Sequence, residues 1–181
     1  RNAGFENINI DLMSGLPYQT LDKFLESLQT VIRLKPEHIS AYSLIIEKGT
    51  PFYERYKFDA VKQEAGIHTE ILPDEDEVYR IYKATQDVLK QAGYRQYEIS
   101  NFAKKGYKSK HNYNCWKQHS YLGFGVAAHS YYNNTRYSNT NSLEEYLQNP
   151  DNKKIEETQT IEDAKKEYML LGLRTLEGVS I

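Results

Sequence analysis

The sequence predicts an α/β fold in which parallel strands alternate with helices, as an open sheet or a barrel. Two stretches lead to it. Residues 7–46 read strand, helix, strand, and residues 74–99 read helix, strand again. The first connection is long enough for the crossover that parallel strands require.

Taken in order, Ile8, Ile10 and Leu12 alternate with polar neighbours until Ser14-Gly15-Leu16-Pro17 breaks the run, the pattern of a half-buried strand. Thr20 stands where an N-cap belongs, and Asp22 favours the positive end of the helix that follows. Leu21, Phe24, Leu25, Leu28, Val31 and Ile32 give that helix one apolar stripe before Pro36 stops it. His38 to Ile46 is rich in β-branched and aromatic residues and reads as the second strand, closed by Gly49-Thr50-Pro51. The polar stretch from Glu54 to about Leu72 has no clear period, which suits a lid, a binding loop or a partly helical segment.

Asp74 and Glu77 resemble a capping box ahead of the stripe Val78, Ile81, Tyr82, Val88 and Leu89, and Gly93 marks the stop. Tyr94 to Ile99 reads as a third strand, Ser100 to Asn114 as polar loop, and Tyr121 to Tyr132 as a further strand or tight turn around Gly123 and Gly125. Ser142 with Glu145 opens a short helix, and Thr160 with Asp163 opens a terminal one.

Composition narrows the function classes. The 181 residues suit one main domain with the start of a second. Lys plus Arg number 23 against 25 Asp plus Glu, so no excess of positive charge draws a nucleic-acid backbone. Cys115 is the only cysteine, which rules out an internal disulfide, and no apolar run approaches the roughly 18 residues of a membrane span. A soluble, cytoplasmic protein is expected. The opening at Arg1 without a leader and the uncovered apolar stripe of the last helix, ending at Val179-Ser180-Ile181, suggest a fragment of a longer chain. The sixteen tyrosines are better explained by strands and half-buried surfaces than by a stacking platform.

In parallel α/β folds ligands sit beyond the C-terminal ends of the strands. That rule selects Asp11 to Gly15, Ser43 to Thr50 and Ser100 to Phe102. Asp11 is an acid within an apolar strand, equally suited to facing a ligand or to a structural hydrogen bond. Glu47-Lys-Gly-Thr-Pro51 is more easily a plain turn than a binding loop. His111-Asn-Tyr-Asn-Cys-Trp116 gathers an imidazole, a thiol and an indole beside Lys108 and Lys110, groups that suit heme iron, a flat macrocycle and propionates. Read alone, that segment is a polar loop with one anchoring tryptophan. His129 has small residues beside it and His119 does not, while His38 and His68 have no supporting neighbours. No phosphate loop, nucleophile elbow or His-Glu-x-x-His motif occurs.

Six strings in order resemble one family. They are Ile10 to Thr20 (Ile-Asp-Leu-Met-Ser-Gly-Leu-Pro-Tyr-Gln-Thr), His38 to Leu44 with Glu47 to Pro51, Tyr97 to Ala103, His111 to Trp116, Tyr121 to Gly125 with Ala128 to Ser130, and Met169 to Thr175. The family is that of the radical S-adenosylmethionine, oxygen-independent coproporphyrinogen oxidases and heme chaperones. Among its branches, His111-Asn112 and Trp116 are more similar to the heme chaperones, with Cys115 where that branch usually has tyrosine.

The resemblance implies part of a radical S-adenosylmethionine (β/α)6 barrel over residues 1–135, then the start of a small helical domain over 136–181. It implies heme and S-adenosylmethionine as ligands, an acceptor protein for the heme, and a [4Fe–4S] cluster whose three cysteine ligands are not in this chain. By position, Asp11, Met13 and Ile45 would contact S-adenosylmethionine, and His129 a second such molecule in the oxidase. His111, Cys115 and Trp116 would serve heme. The implied function is a heme chaperone. The alternatives are oxidative decarboxylation of coproporphyrinogen III and an unrelated α/β binding protein.

Overall fold

The computed structural model describes residues 1–180; Ile181, the last residue of the stretch read as uncovered, lies outside the described residues. The chain forms two compact units, Arg1–Lys108 and a second from Ser109 onward. The division expected after residue 135 falls inside a hairpin of the second unit.

In the first unit, β1 (Asn9–Ser14), α1 (Leu21–Leu34) and β2 (His38–Ser43) form the expected βαβ arrangement. β1 and β2 are parallel, with Asn9 opposite His38, Asp11 opposite Ser40 and Met13 opposite Tyr42. Thr20 caps α1 by accepting from the Lys23 amide, and Lys35 ends the helix in the left-handed region at φ 53° just before Pro36. Of the stretch from Glu54 to Leu72, open between lid and helix in the sequence, the part up to Glu64 belongs to α2 (Pro51–Glu64), which Thr50 caps with Pro51 in the first turn, and the rest is irregular. α3 (Glu75–Gln91) starts at Asp74, whose carboxylate accepts from the Glu77 amide at 2.9 Å. Glu77 does not close the box on its own cap; its carboxylate accepts from the Leu21 amide at 2.9 Å and so joins the starts of α1 and α3.

The third strand is corrected. Only Arg95–Gln96 (β3) of the expected run is a strand, and Asn101–Ala103, expected as loop, is β4. The sheet order is β1-β2-β4-β3, with β4 antiparallel to both neighbours. β1 and β3 are its edges. The hairpin turns within Tyr97 to Ser100, so the chain doubles back before a longer parallel strand can form.

One face of this sheet is apolar. Ile39 and Phe102 pack with Phe24, Leu28 and Val31 of α1, Ile81 and Leu89 of α3, and Tyr94, with Ile10 and Leu12 against them. Period-2 alternation sends Asn9, Asp11, Met13, His38, Ser40 and Asn101 to the other face.

The second unit begins with α4 (Lys110–Trp116), again in a stretch expected to be loop; Ser109 caps it by accepting from the Asn112 amide. β5 (His129–Tyr132) and β6 (Thr135–Asn139) form a hairpin through Asn133 and Asn134, at φ 50° and 58°, the geometry of a two-residue primed turn. Tyr121, expected in the strand, makes only an isolated bridge to Tyr131. α5 (Leu143–Gln148) follows, and β7 (Lys153–Thr158) completes an antiparallel sheet in the order β5-β6-β7. α6 (Ile161–Arg174) opens with a full capping box between Thr160 and Asp163. Residues 136–180, expected to start a helical domain, therefore contribute strands β6 and β7 as well as two helices. Among the described residues no helix is long and apolar enough to cross a membrane.

Candidate functional site

Polar groups occupy the second face of the first sheet, because apolar residues at alternate positions are taken by the core on the other side; Asn9, Asp11 and Met13 are exposed on it, while His38, Ser40 and Asn101 are buried. Asp11 is exposed, and its Oδ1 accepts from Asn9 Nδ2 at 2.7 Å. Its Oδ2 accepts no hydrogen bond among the described residues. Met13 shares this face and is 47% exposed. Ile45 lies two residues past β2 and is also exposed; Leu44 extends the strand pairing by donating its amide to the Ser14 carbonyl at 2.8 Å. Gly15, at φ 77°, lets the chain turn there while a Cβ on it would already touch Leu44. The strand ends thus present a carboxylate with an open oxygen, a thioether and an aliphatic side chain. These groups suit a ligand with hydroxyl or amino groups at one end and a flat apolar ring at the other.

His129 is in the other unit. It starts β5, its side chain is exposed, and its Nδ1 lies 3.4 Å from Glu156 Oε2. A cavity of about 420 Å³ adjoins it, lined also by Ser138, Asn139, Lys153, Lys154 and Glu156.

α4 changes how the candidate heme residues are presented. His111 and Cys115 are four residues apart on a helix, hence on one face, with Sγ 3.9 Å from Nε2. His111 is exposed and Cys115 half-buried. Burial pushes the Cys115 thiol up, which keeps it protonated at neutral pH. Trp116 is packed rather than open: the Arg174 guanidinium lies 5.2 Å from its ring centre and Tyr113 meets it edge-on at 6.2 Å. Cys115 is the sole cysteine, and no group of three or more Cys, His, Asp or Glu side chains among the described residues could hold a metal ion. These residues do not fit an iron–sulfur cluster.

Two residues beside this face, His38 and Glu98, escaped the sequence reading. His38, passed over for want of neighbours, is 5% exposed; its Nδ1 lies 2.6 Å from Asn9 Oδ1 and its Nε2 2.7 Å from the Tyr97 hydroxyl. Burial holds its imidazole below the usual range, against the opposing charges of Asp11 and Glu98. Glu98 is fully buried and accepts from the Ser100 amide at 2.6 Å and from Asn101 Nδ2 at 2.5 Å, closing the β3–β4 hairpin. The available signal was parity: His38, Ser40 and Tyr42 alternate with apolar residues, as Asn9, Asp11 and Met13 do.

No protein-family model matches the chain. The heme chaperone HemW of Bacillus subtilis is 40% identical over 184 residues, which is 99% of this chain and 46% of that protein. HemW of Lactococcus lactis is 37% identical, covering 100% and 46%. A mouse protein named radical S-adenosyl methionine domain-containing protein 1, mitochondrial, is 32% identical, covering 96% and 40%. The chain spans about half the length of the curated relatives it matches. Among solved structures, coproporphyrinogen III oxidase from Escherichia coli, described as a radical SAM enzyme, superposes with a TM-score of 0.71 at 22% identity, over 96% of this chain and 42% of that one. That likeness identifies the fold. The agreement in sequence over the whole length, with the same fold beneath it, places the chain in the HemW family of radical S-adenosylmethionine proteins.

Proposed function

We propose that this chain is part of a cytoplasmic heme chaperone, which binds heme and passes it to an acceptor protein. The observation that carries the reading is α4, where an exposed imidazole and a thiol share one helix face next to Lys110. His111 and Cys115 share one helix face and would offer a heme iron alternative ligands rather than a pair. His111 is the ligand in this reading, because a neutral imidazole coordinates directly whereas the raised thiol must first lose a proton. Trp116 holds α4 in place and offers its remaining edge to the macrocycle, and Lys110 suits a propionate.

Asp11, Met13 and Ile45 make the S-adenosylmethionine site in the same proposal. The open Asp11 oxygen accepts from the ribose or amino-acid portion, and Met13 and Ile45 flank the adenine. His129, beside its polar cavity, is assigned to a second such molecule. Bound with a [4Fe–4S] cluster held by residues outside this chain, S-adenosylmethionine would supply radical chemistry; the residues here bind and orient it.

The decisive measurement is a heme titration of the full-length protein, followed by absorbance, for wild type, His111→Ala and Cys115→Ser. Loss of binding in the first with retention in the second supports the assignment. The reverse promotes the thiolate, and equal binding in all three removes heme from α4. An anaerobic assay for coproporphyrinogen III conversion separates the chaperone from the oxidase, which is favoured by the shared fold alone.

A further inference from the structure

We infer that His38 is a positioning residue for Asp11, acting through Asn9 by a one-way chain of hydrogen bonds that starts at the Tyr97 hydroxyl. The inference rests on reading Asp11 as a ligand contact, and it assigns the ligand's affinity to residues that never touch it.

The direction of the chain follows from what each atom can do. An ionised carboxylate only accepts, so the Asn9 atom 2.7 Å from Asp11 Oδ1 is the amide nitrogen. The other Asn9 atom is then a carbonyl oxygen, and it faces His38 Nδ1 at 2.6 Å and the Ser40 hydroxyl at 3.3 Å. A carbonyl oxygen accepts as well, so His38 carries its proton on Nδ1. In the neutral ring Nε2 must therefore accept, and the Tyr97 hydroxyl donates to it at 2.7 Å. Each step fixes the next, from Tyr97 to His38 to Asn9 to Asp11.

Burial makes the chain rigid. His38, Ser40 and Tyr97 are 5%, 2% and 3% exposed, so the His38–Tyr97 bond is shielded from water, and the buried imidazole stays neutral. The parallel register of β1 and β2 sets Asn9 opposite His38 and Asp11 opposite Ser40. Asn9 and Asp11 form the exposed end of the chain. With Oδ1 held by Asn9, its rotamer is chosen before a ligand arrives and Oδ2 is left for that ligand, which lowers the ordering cost of binding.

The test is calorimetric titration of S-adenosylmethionine into the full-length, cluster-reconstituted protein. His38→Leu is expected to weaken binding about fivefold, the equivalent of one net hydrogen bond of ~1 kcal/mol. His38→Asn is expected to restore it, because the asparagine amide nitrogen takes the place of Nδ1. Tyr97→Phe keeps the ring, removes the first donor and is expected to weaken binding about twofold to fivefold. In an Asp11→Asn background His38→Leu is expected to add nothing, and 15N NMR of the imidazole is expected to show the Nδ1–H tautomer without any ligand. Equal losses in His38→Leu and His38→Asn, additive losses with Asp11→Asn, or the Nε2–H tautomer would each overturn the relay while leaving Asp11 as a contact. Unchanged affinity in Asp11→Asn alone overturns the Asp11 assignment and the relay with it. If His38→Leu does not fold, Tyr97→Phe and the tautomer decide.

Discussion

Glu167→Gln should unfasten the second unit. The Glu167 carboxylate accepts from Arg136 at 2.6 Å, from Gln118 Nε2 at 3.0 Å and from Gln159 Nε2 at 2.5 Å, and Arg136 also donates to Glu157 at 2.7 Å. One side chain of α6 thereby holds the segment after α4, strand β6 and the residue that follows β7. The substitution keeps the volume, removes the charge and replaces an acceptor by a donor among donors. A charge-assisted hydrogen bond contributes roughly 1.5–3 kcal/mol. Because Glu167 and Arg136 are about a quarter exposed, solvent screening puts the loss near the lower end, about 1.5–2 kcal/mol.

Burial opposes ionisation of Glu167, but the bonds from Arg136, Gln159 and Gln118 together hold its carboxyl below the usual range. Its contribution is therefore complete above the unfolded value of about 4.3 and disappears as pH falls through the lower folded value. Urea denaturation followed by the fluorescence of Trp116, the one tryptophan of the chain, reads this unit. The midpoint should drop by about 1 M or more for an m-value near 1–2 kcal/mol/M. A midpoint at pH 7 unchanged from wild type, or an undiminished gap between the two proteins at pH 3, would refute the account.

Phe24, 1% exposed at the centre of the first core, should cost about 3–5 kcal/mol when changed to alanine, measured by circular dichroism during denaturation. Gly123→Ala places a Cβ against the His129 carbonyl, a backbone atom that cannot swing aside, so a loss of about 1–3 kcal/mol and a disturbed β5 are expected by NMR. Asn133→Val forces a β-branched residue to φ 50° and should lower stability by about 1–2 kcal/mol, whereas Asn133→Gly should be neutral or better. His38 is held neutral by burial, so stability is fully present above the unfolded value of about 6.5 and falls as pH drops through the folded one; His38→Leu should abolish that step in a stability profile between pH 7 and 5.

Local signals were legible and long-range ones were not. Thr20, Asp74, Ser142 and Thr160 all cap the helices they announced, because a cap is decided within four residues. β1 and α1 followed from periodicity over whole elements, and β2 from its β-branched and aromatic content, though it ends at Ser43 rather than Ile46. β3 and β4 have two and three residues, too few to show a period, and they exist because Glu98 ties their turn. α4 has no stripe, its residues being polar and aromatic by turns. α2 was announced by Thr50-Pro51, a pair that marks a helix start as readily as the end of a strand. At the candidate site, the strand-end rule selected Asp11 to Gly15, and Asp11 and Met13 lie exposed on the face away from the core. His38 was missed because its partners Asn9 and Tyr97 are 29 and 59 residues away, and only the pairing of strands brings them to it.

The edge position of β1 has a consequence for proton exchange with solvent. The carbonyls of Ile8 and Ser14 accept from the β2 side, so the even-numbered backbone groups of this strand face β2, while the Met13 carbonyl points the other way and accepts from Gln19 Nε2. The amides of Asn9, Asp11 and Met13 accordingly face the open edge, one residue out of step with those of Ile10 and Leu12. In deuterated buffer the strand should lose its protons in alternation, fast at the three odd positions and slow between them. Any segment that joins the sheet at this edge must slow those three amides together and leave their neighbours unchanged, which makes them a direct register of whether the edge is occupied.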